Sequence, residues 1–274
     1  MRQPVALQDR ARHRLPAIVA LALPVLAGIA CLVAFGAPGS YVAANGAGLA
    51  LGLALLLLLD APDERRSRIV AVALVALLYL PLVAGPAYND VTRWIALGPV
   101  RLHAGMLVIP ALAVFAARDK LYAAPILLAA LGAALLQPDA ASGFALTIAA
   151  VGIHHATRDW RMGLTAIVGF VATLYMAVHG ELPATEFVER VLVDYAVLSP
   201  TVALALFAAL VASFVLIATA VPLERPARLA LAGSLFGFSL MALLSNYPSA
   251  LIGHGAAPII GYGLALGLVR KAAA

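Results

Sequence analysis

Long apolar stretches alternate with short polar ones along the whole chain. The apolar runs cover 15–36, 41–59, 69–88, 104–117, 121–136, 140–157, 162–179, 201–221, 229–246 and 258–269, and the intervals between them carry most of the charge. A helix needs about 20 residues to cross a hydrocarbon core of about 30 Å, so the pattern predicts an all-α polytopic membrane protein with about ten transmembrane helices. The runs at 121–136 and 140–157 are short and nearly continuous, and whether both cross fully stays open at this stage. The first run follows Arg2, Arg10, Arg12 and Arg14. It is longer than the roughly 7–15 apolar residues of a signal-peptide core, and so reads as an uncleaved first span behind a basic arm at 1–14.

Composition agrees with the pattern. Hydrophobic residues make up 64% of the 274 and charged residues only 11%, with a mean hydropathy of +1.02. A soluble domain carries about 25% charged residues. The spans use up the chain, leaving one transmembrane domain, 1–274, and no room for a separate soluble one. The net charge of +5 would suggest nucleic acid in a soluble protein, but here it reports topology. If the spans alternate, every Lys and Arg except Arg93, Arg101 and Arg190 falls on the side of the N-terminus. The positive-inside rule then puts both termini of a multi-pass membrane protein in the cytoplasm, with no nucleic-acid partner. The one cysteine, Cys31, lies mid-span and reads as a small packing residue, which leaves no disulfide framework.

Topology also sorts the chemistry. Asp90, Arg93, Arg101, His103, Asp139, His179, Glu181, Glu186, Glu189, Arg190, Asp194 and His254 all fall on the outer side. The inner loops are short, of mixed charge, and suited to topology and headgroup contact. His154, His155 and Asp159 make a weak metal pattern at an inner helix end, where packing at the membrane interface is the simpler reading. No metal site is predicted from such spacing.

Three outer segments stand out. In 89–103, Arg93 and Trp94 precede the turn-making pair Gly98-Pro99. A cation beside an indole at a membrane edge can grip an anionic, lipid-like ligand, or can simply be a snorkelling side chain next to an interfacial anchor. In 180–200, Phe187, Val191, Tyr195 and Leu198 recur at helical spacing opposite Glu186, Glu189, Arg190 and Asp194. That predicts an amphipathic helix on the outer surface, with Glu186 near its start, ionised and able to act as a base, or else a plain solvated face. In 247–258, Gly253 and Gly255 flank His254 and predict a bent backbone that must be covered by protein or line a cavity.

Several separated motifs together resemble the SEDS family of cell-shape, division and sporulation membrane proteins, the FtsW and RodA type. Arg93-Trp94-Ile95 with Leu97-Gly98-Pro99 resembles that family's R-R-W-I-x-L-G-P loop, and Gln137-Pro138-Asp139 matches its Q-P-D. Leu182-Pro183 followed by Thr185-Glu186-Phe187 is similar to a shortened L-P-E-x-x-T-D-F. Ile252-Gly253-His254-Gly255 leading to Leu264-Ala265-Leu266-Gly267 is similar to I-S-Y-G-G and L-A-L-G. The resemblance covers about 88–270. Where the family has Q-P-S-E, this chain has His103-Ala104-Gly105-Met106, and its outer loop before the eighth span is much reduced.

The resemblance implies glycosyl transfer on lipid II, or another undecaprenyl-linked glycan, at the outer membrane face. Glu186 stands where the family has its aspartate and would take the proton from the acceptor hydroxyl. Arg93, with Arg101, would neutralise the departing pyrophosphate, and Trp94 would offer a stacking face. Asp139 and His254 would line the same cavity, Asp139 either as a structural partner or as part of a divalent-cation site. A transpeptidase with a single membrane anchor is the implied partner, beside membrane lipids. The departures favour a second reading, a catalytically inactive scaffold or lipid-binding subunit. A lipid transporter ranks third, because ionisable residues are nearly absent from mid-span.

Overall fold

The computed structural model describes residues 3–89, 91–98 and 100–270; Arg2, Asp90 and Pro99 of the preceding section lie outside the described residues. A helix stands at each of the ten apolar runs. The basic arm forms α1 (Gln3–His13). The bundle follows as α2 (Leu15–Ala34), α3 (Gly39–Leu58), α4 (Glu64–Ala84), α5 (Ala104–Arg118), α6 (Ala123–Leu136), α7 (Ala140–Thr157) and α8 (Trp160–His179). A short α9 (Val191–Leu198) precedes α10 (Pro200–Thr219), α11 (Arg225–Leu244) and α12 (Ala256–Gly267). Six of these, α2, α3, α4, α8, α10 and α11, are long and apolar enough to cross a membrane, while α5, α6 and α12 are apolar but shorter.

Helix α4 begins five residues before its apolar run, because the charged segment winds into the helix. The Asp63 side chain accepts the Arg66 N–H as an N-cap, and Glu64 pairs with Arg68 one turn on. The central packing is α7 against α11, and α3 against α12. In lipid, helix association depends on close backbone approach. At Gly233 and Gly237, one turn apart on α11, an added Cβ would lie 2.6 Å from the Ile148 carbonyl oxygen and 2.6 Å from the Ala145 Cα, so nothing larger than glycine fits against α7. Most of α5 is enclosed by its neighbours, which is how a helix of 15 residues sits in the bundle centre.

The second outer segment differs from expectation. Helix α9 starts only at Val191 and has eight residues. Phe187 and Arg190 both take left-handed backbone conformations, at φ 65° and 54°, and these interrupt the helix the sequence spacing predicts. Glu186 and Glu189 therefore sit in a turn ahead of the helix, and Arg190 is its N-cap residue. Val191 and Tyr195 face the protein as expected, whereas Leu198 is 69% exposed.

Candidate outer-face site

The loop after α4 is a β-hairpin. Strand β1 (Trp94–Leu97) pairs antiparallel with β2 (Val100–His103), with Trp94 opposite His103 and Ala96 opposite Arg101. Gly98 at the turn has a positive φ of 60°, the conformation a two-residue hairpin connection demands. The hairpin delivers Arg93 at one end and His103 at the other, and the two ends are tied where the Ala104 N–H donates to the Arg93 carbonyl at 2.9 Å.

Arg93 points inward, with 2% of its surface exposed. Its Nη2 donates to the carbonyl of Gly180, and its Nη1 lies 3.9 Å from Asp139 Oδ1. The guanidinium also lies 4.9 Å from the centre of the Tyr247 ring and 5.3 Å from that of Trp94. Asp139 is fully buried and caps α7, accepting the Ser142 N–H at 3.2 Å. The Tyr247 oxygen accepts the next helical N–H, that of Ala140, at 3.2 Å. A Cβ at Gly180 would overlap the Pro138 carbonyl, so the segment after α8 approaches the Gln137-Pro138-Asp139 turn closely only because it is glycine. Four segments far apart in sequence thus meet on one cation.

His103 joins them. Its Nδ1 accepts the Met106 N–H at 3.3 Å as the N-cap of α5, which leaves the ring proton on Nε2, 3.6 Å from Asp139 Oδ2. Burial pushes its pKa down and holds the ring neutral, against the opposing pull of Asp139. Arg93 Nε, His103 Nε2, Asp139 Oδ2 and Ser142 Oγ have no hydrogen-bond partner among the described residues.

The remaining candidates lie on neighbouring outer segments. Arg101 is exposed on β2, its guanidinium 5.1 Å from the centre of the Tyr88 ring. Trp94 is half-buried, edge-on to Tyr88. Glu186 is exposed and makes no ion pair or side-chain hydrogen bond among the described residues. Its turn is fixed by the last outer segment: the Ser249 N–H donates to the Val188 carbonyl at 2.9 Å and the His254 N–H to the Phe187 carbonyl at 2.7 Å. The bend at Gly253 and Gly255 is covered by protein, as a bent backbone at membrane depth requires. Buried Asn45 donates to the Gly253 carbonyl and accepts the Gly255 N–H, both at 3.0 Å. The His254 ring stacks on Tyr41 at 3.7 Å between centroids.

Arg93, Trp94 and Asp139 are brought together; Arg101 extends from the same hairpin, and Glu186 and His254 share a second, backbone-linked patch. Sequence reasoning passed over His103, Tyr247 and Glu189 as members of the site. Glu189 is the turn's inward carboxylate: it accepts the Thr185 N–H at 2.7 Å, and burial raises its pKa while Arg93 pulls it back. The available signal was their placement on the same outer side as Arg93. No group of three or more His, Cys, Asp or Glu among the described residues is arranged to hold a metal ion.

Bundle and outer cluster together define a multi-pass helical membrane protein with a buried polar cluster at its outer face. No protein-family model matches the chain, and no curated protein matches it. Solved structures do. The chain superposes on the rod-shape-determining protein RodA of Thermus thermophilus with a TM-score of 0.66 at 22% identity, over 92% of this chain and 94% of that one, and equally on a variant of it. A chain from a peptidoglycan synthase complex, described as coordinating polymerization and crosslinking, matches with a TM-score of 0.59 at 20% identity, over 92% and 96%. The fold is therefore the RodA fold, spanning nearly the whole length of both proteins.

Proposed function

We propose that the chain is a SEDS-type protein of peptidoglycan synthesis in the bacterial cytoplasmic membrane, transferring glycan between lipid II molecules at its outer face. The observation that carries this reading is the meeting of Arg93-Trp94, Asp139 and Gly180 on the outer side of a RodA fold. In the proposed reaction an acceptor sugar hydroxyl attacks the anomeric carbon of the donor. The new glycosidic bond forms as the sugar–pyrophosphate bond breaks, and undecaprenyl pyrophosphate leaves. Glu186, exposed and anchored in its turn by the backbone bonds around it, takes the hydroxyl proton. Arg101 meets the pyrophosphate from the hairpin surface while Arg93 adds positive potential from beneath, and Trp94 offers a flat face to sugar or lipid. Asp139 holds Arg93, and His254 with Tyr41 borders the acceptor side. A single-span transpeptidase is the fitting partner, since a similar chain belongs to a synthase complex that couples polymerization to crosslinking.

Purified protein supplied with labelled lipid II should yield glycan polymer, and Glu186→Gln should lower the rate by about 10²–10⁴-fold, the usual worth of a general base. Undiminished polymer from that variant removes Glu186 from the role. A second reading, a lipid-binding scaffold, is favoured by the lack of any ion pair or side-chain hydrogen bond orienting Glu186 among the described residues. Saturable lipid II binding with no polymer from the wild type, alone or with its transpeptidase, would select it.

A further inference from the structure

The opposite face of the bundle contains a cavity of about 410 Å³ that the proposed reaction does not use. It lies where the first turns of α4 meet the ends of α5 and α6 and the chain's last described residue, Arg270. Ala71, Phe115 and Ile126 make an apolar floor. Two ion-paired systems make the walls. On one, Arg68 joins Asp119 and Glu64, each at 2.6 Å. On the other, Arg118 and Arg270 share Glu224, at 2.8 and 2.9 Å.

Three features say what such a space takes. Its lining residues hold as many carboxylates (Asp63, Glu64, Asp119) as arginines (Arg68, Arg118, Arg270), which disfavours a bare anion and a bare cation alike. The charges are also layered. The Arg118 side chain is only 8% exposed and its Nη1 has no hydrogen-bond partner among the described residues, whereas the Asp63 and Glu64 side chains are 58% and 77% exposed at the mouth. Finally, the mouth adjoins lipid, since α4 is the least enclosed of the six long spans and its Ile69 and Val72 are 59% and 66% exposed.

We infer that this cavity binds the headgroup of a zwitterionic phospholipid of the inner leaflet, a phosphate diester carrying an ammonium group. The phosphate lies toward Arg118, the ammonium toward Glu64, and the glycerol against Ala71 and Ile126, with the acyl chains following α4 into the membrane. The phosphate completes the hydrogen bonding of the deep guanidinium, and the ammonium adds a second cation to the Glu64 carboxylate, which Arg68 holds through Oε1, where a glycerol headgroup would add none.

Lipid-stripped protein offered equal amounts of phosphatidylethanolamine and phosphatidylglycerol with identical acyl chains should retain one phosphatidylethanolamine preferentially by native mass spectrometry. Ala71→Leu fills the apolar floor without touching a charge and should abolish retention. Glu64→Gln, at an exposed position, should lower the preference by up to about fivefold, the worth of an exposed ion pair. Arg118→Gln should also abolish retention, but it breaks the Glu224 bridge as well, so its melting temperature is measured alongside and the other two variants carry the test. Equal retention of the two lipids by the wild type, or an unchanged preference in Ala71→Leu and Glu64→Gln, overturns the proposal. Water-soluble glycerophosphoethanolamine should displace the lipid only in large excess. If it binds as tightly as the lipid, the occupant is a soluble ester and the lipid assignment falls.

Discussion

Two arginines, each 2% exposed, sit at opposite ends of this bundle, and their surroundings differ in kind. Arg14, on the inner side, is held by directed bonds. Its Nη1 donates to the carbonyls of Leu56, Leu59 and Gly267, and its Nη2 lies 2.7 Å from Asp60, which Arg10 also holds at 2.8 Å. It thereby caps the ends of α3 and α12, where a cation is favoured by the carbonyls that a helix leaves unpaired. Arg93, on the outer side, has one carbonyl, two aromatic faces and a carboxylate at 3.9 Å, with its Nε unpartnered among the described residues. A buried cation spent on directed bonds to carbonyls and a carboxylate is a structural bolt. One that rests on ring faces keeps positive potential available for a further anion.

The largest effect expected from this contrast is on stability, at Arg14. Arg14→Ala strips three carbonyls and one of a carboxylate's partners, and should cost about 3 kcal/mol or more. Arg93→Ala should cost less, about 2 kcal/mol, because fewer directional bonds are lost, although Asp139 is left without its cation. Thermal unfolding of the two variants in detergent ranks them, and a larger loss for Arg93→Ala would reverse the contrast. Function should rank them the other way. Arg93→Lys keeps the charge but loses the planar fork and its stacking, so lipid II polymerisation should fall well beyond its stability cost of about 1 kcal/mol, while Arg14→Lys leaves polymerisation near wild type.

A smaller effect isolates the aromatic half of the outer clamp. Tyr247→Phe keeps the ring under Arg93 but removes the oxygen that accepts the Ala140 N–H, and should cost about 1 kcal/mol. If the outer cluster is a clamp of ring faces, Tyr247→Leu must cost distinctly more than Tyr247→Phe. Equal losses would assign the whole contribution to the hydrogen bond.

The same contrast shows what was readable in the chain. The spans and their sidedness follow from local hydropathy and from the placement of arginines, both written within about 20 residues, and each of the ten runs is a helix. The pairing of Arg93 with Asp139 was reachable only because Arg-Trp-Ile and Gln-Pro-Asp are recognisable in family order; periodicity cannot bring together residues 46 positions apart. His103 and Tyr247 carry no motif, and their role exists only once α5, α7 and the last outer segment are docked. The hairpin leaves no periodic signal, because its two strands have only four residues each, too short for alternation to register. Helix α9 is shorter than its spacing predicts for the opposite reason. Spacing at 187, 191 and 195 is helical, but the left-handed backbone at Phe187 and Arg190 is imposed by bonds to 248–254, a tertiary effect that overrides local preference.

The smallest expected effect tests that turn directly, through Glu189. Its carboxyl is half-buried beside the Thr185 N–H, and burial raises its pKa above the ordinary glutamate value despite the opposing pull of that hydrogen bond and of Arg93. Between the ordinary value, about 4.3, and the raised one, the folded state holds a proton that the unfolded state has released. Stability contributed by this group is therefore fully present below the ordinary value and is lost as pH rises through the raised one. Glu189→Gln keeps an oxygen for the Thr185 N–H and removes the titration. Unfolding temperatures of the two proteins should thus diverge as pH rises from about 4 toward neutrality, the variant becoming relatively more stable. Arg93 lies close enough to Glu189 to oppose the shift, so the divergence should widen in an Arg93→Ala background, where only the local hydrogen bonds at Thr185 and Glu189 still oppose burial. Parallel curves in both backgrounds would detach the turn from the arginine and leave the outer segments as two independent patches.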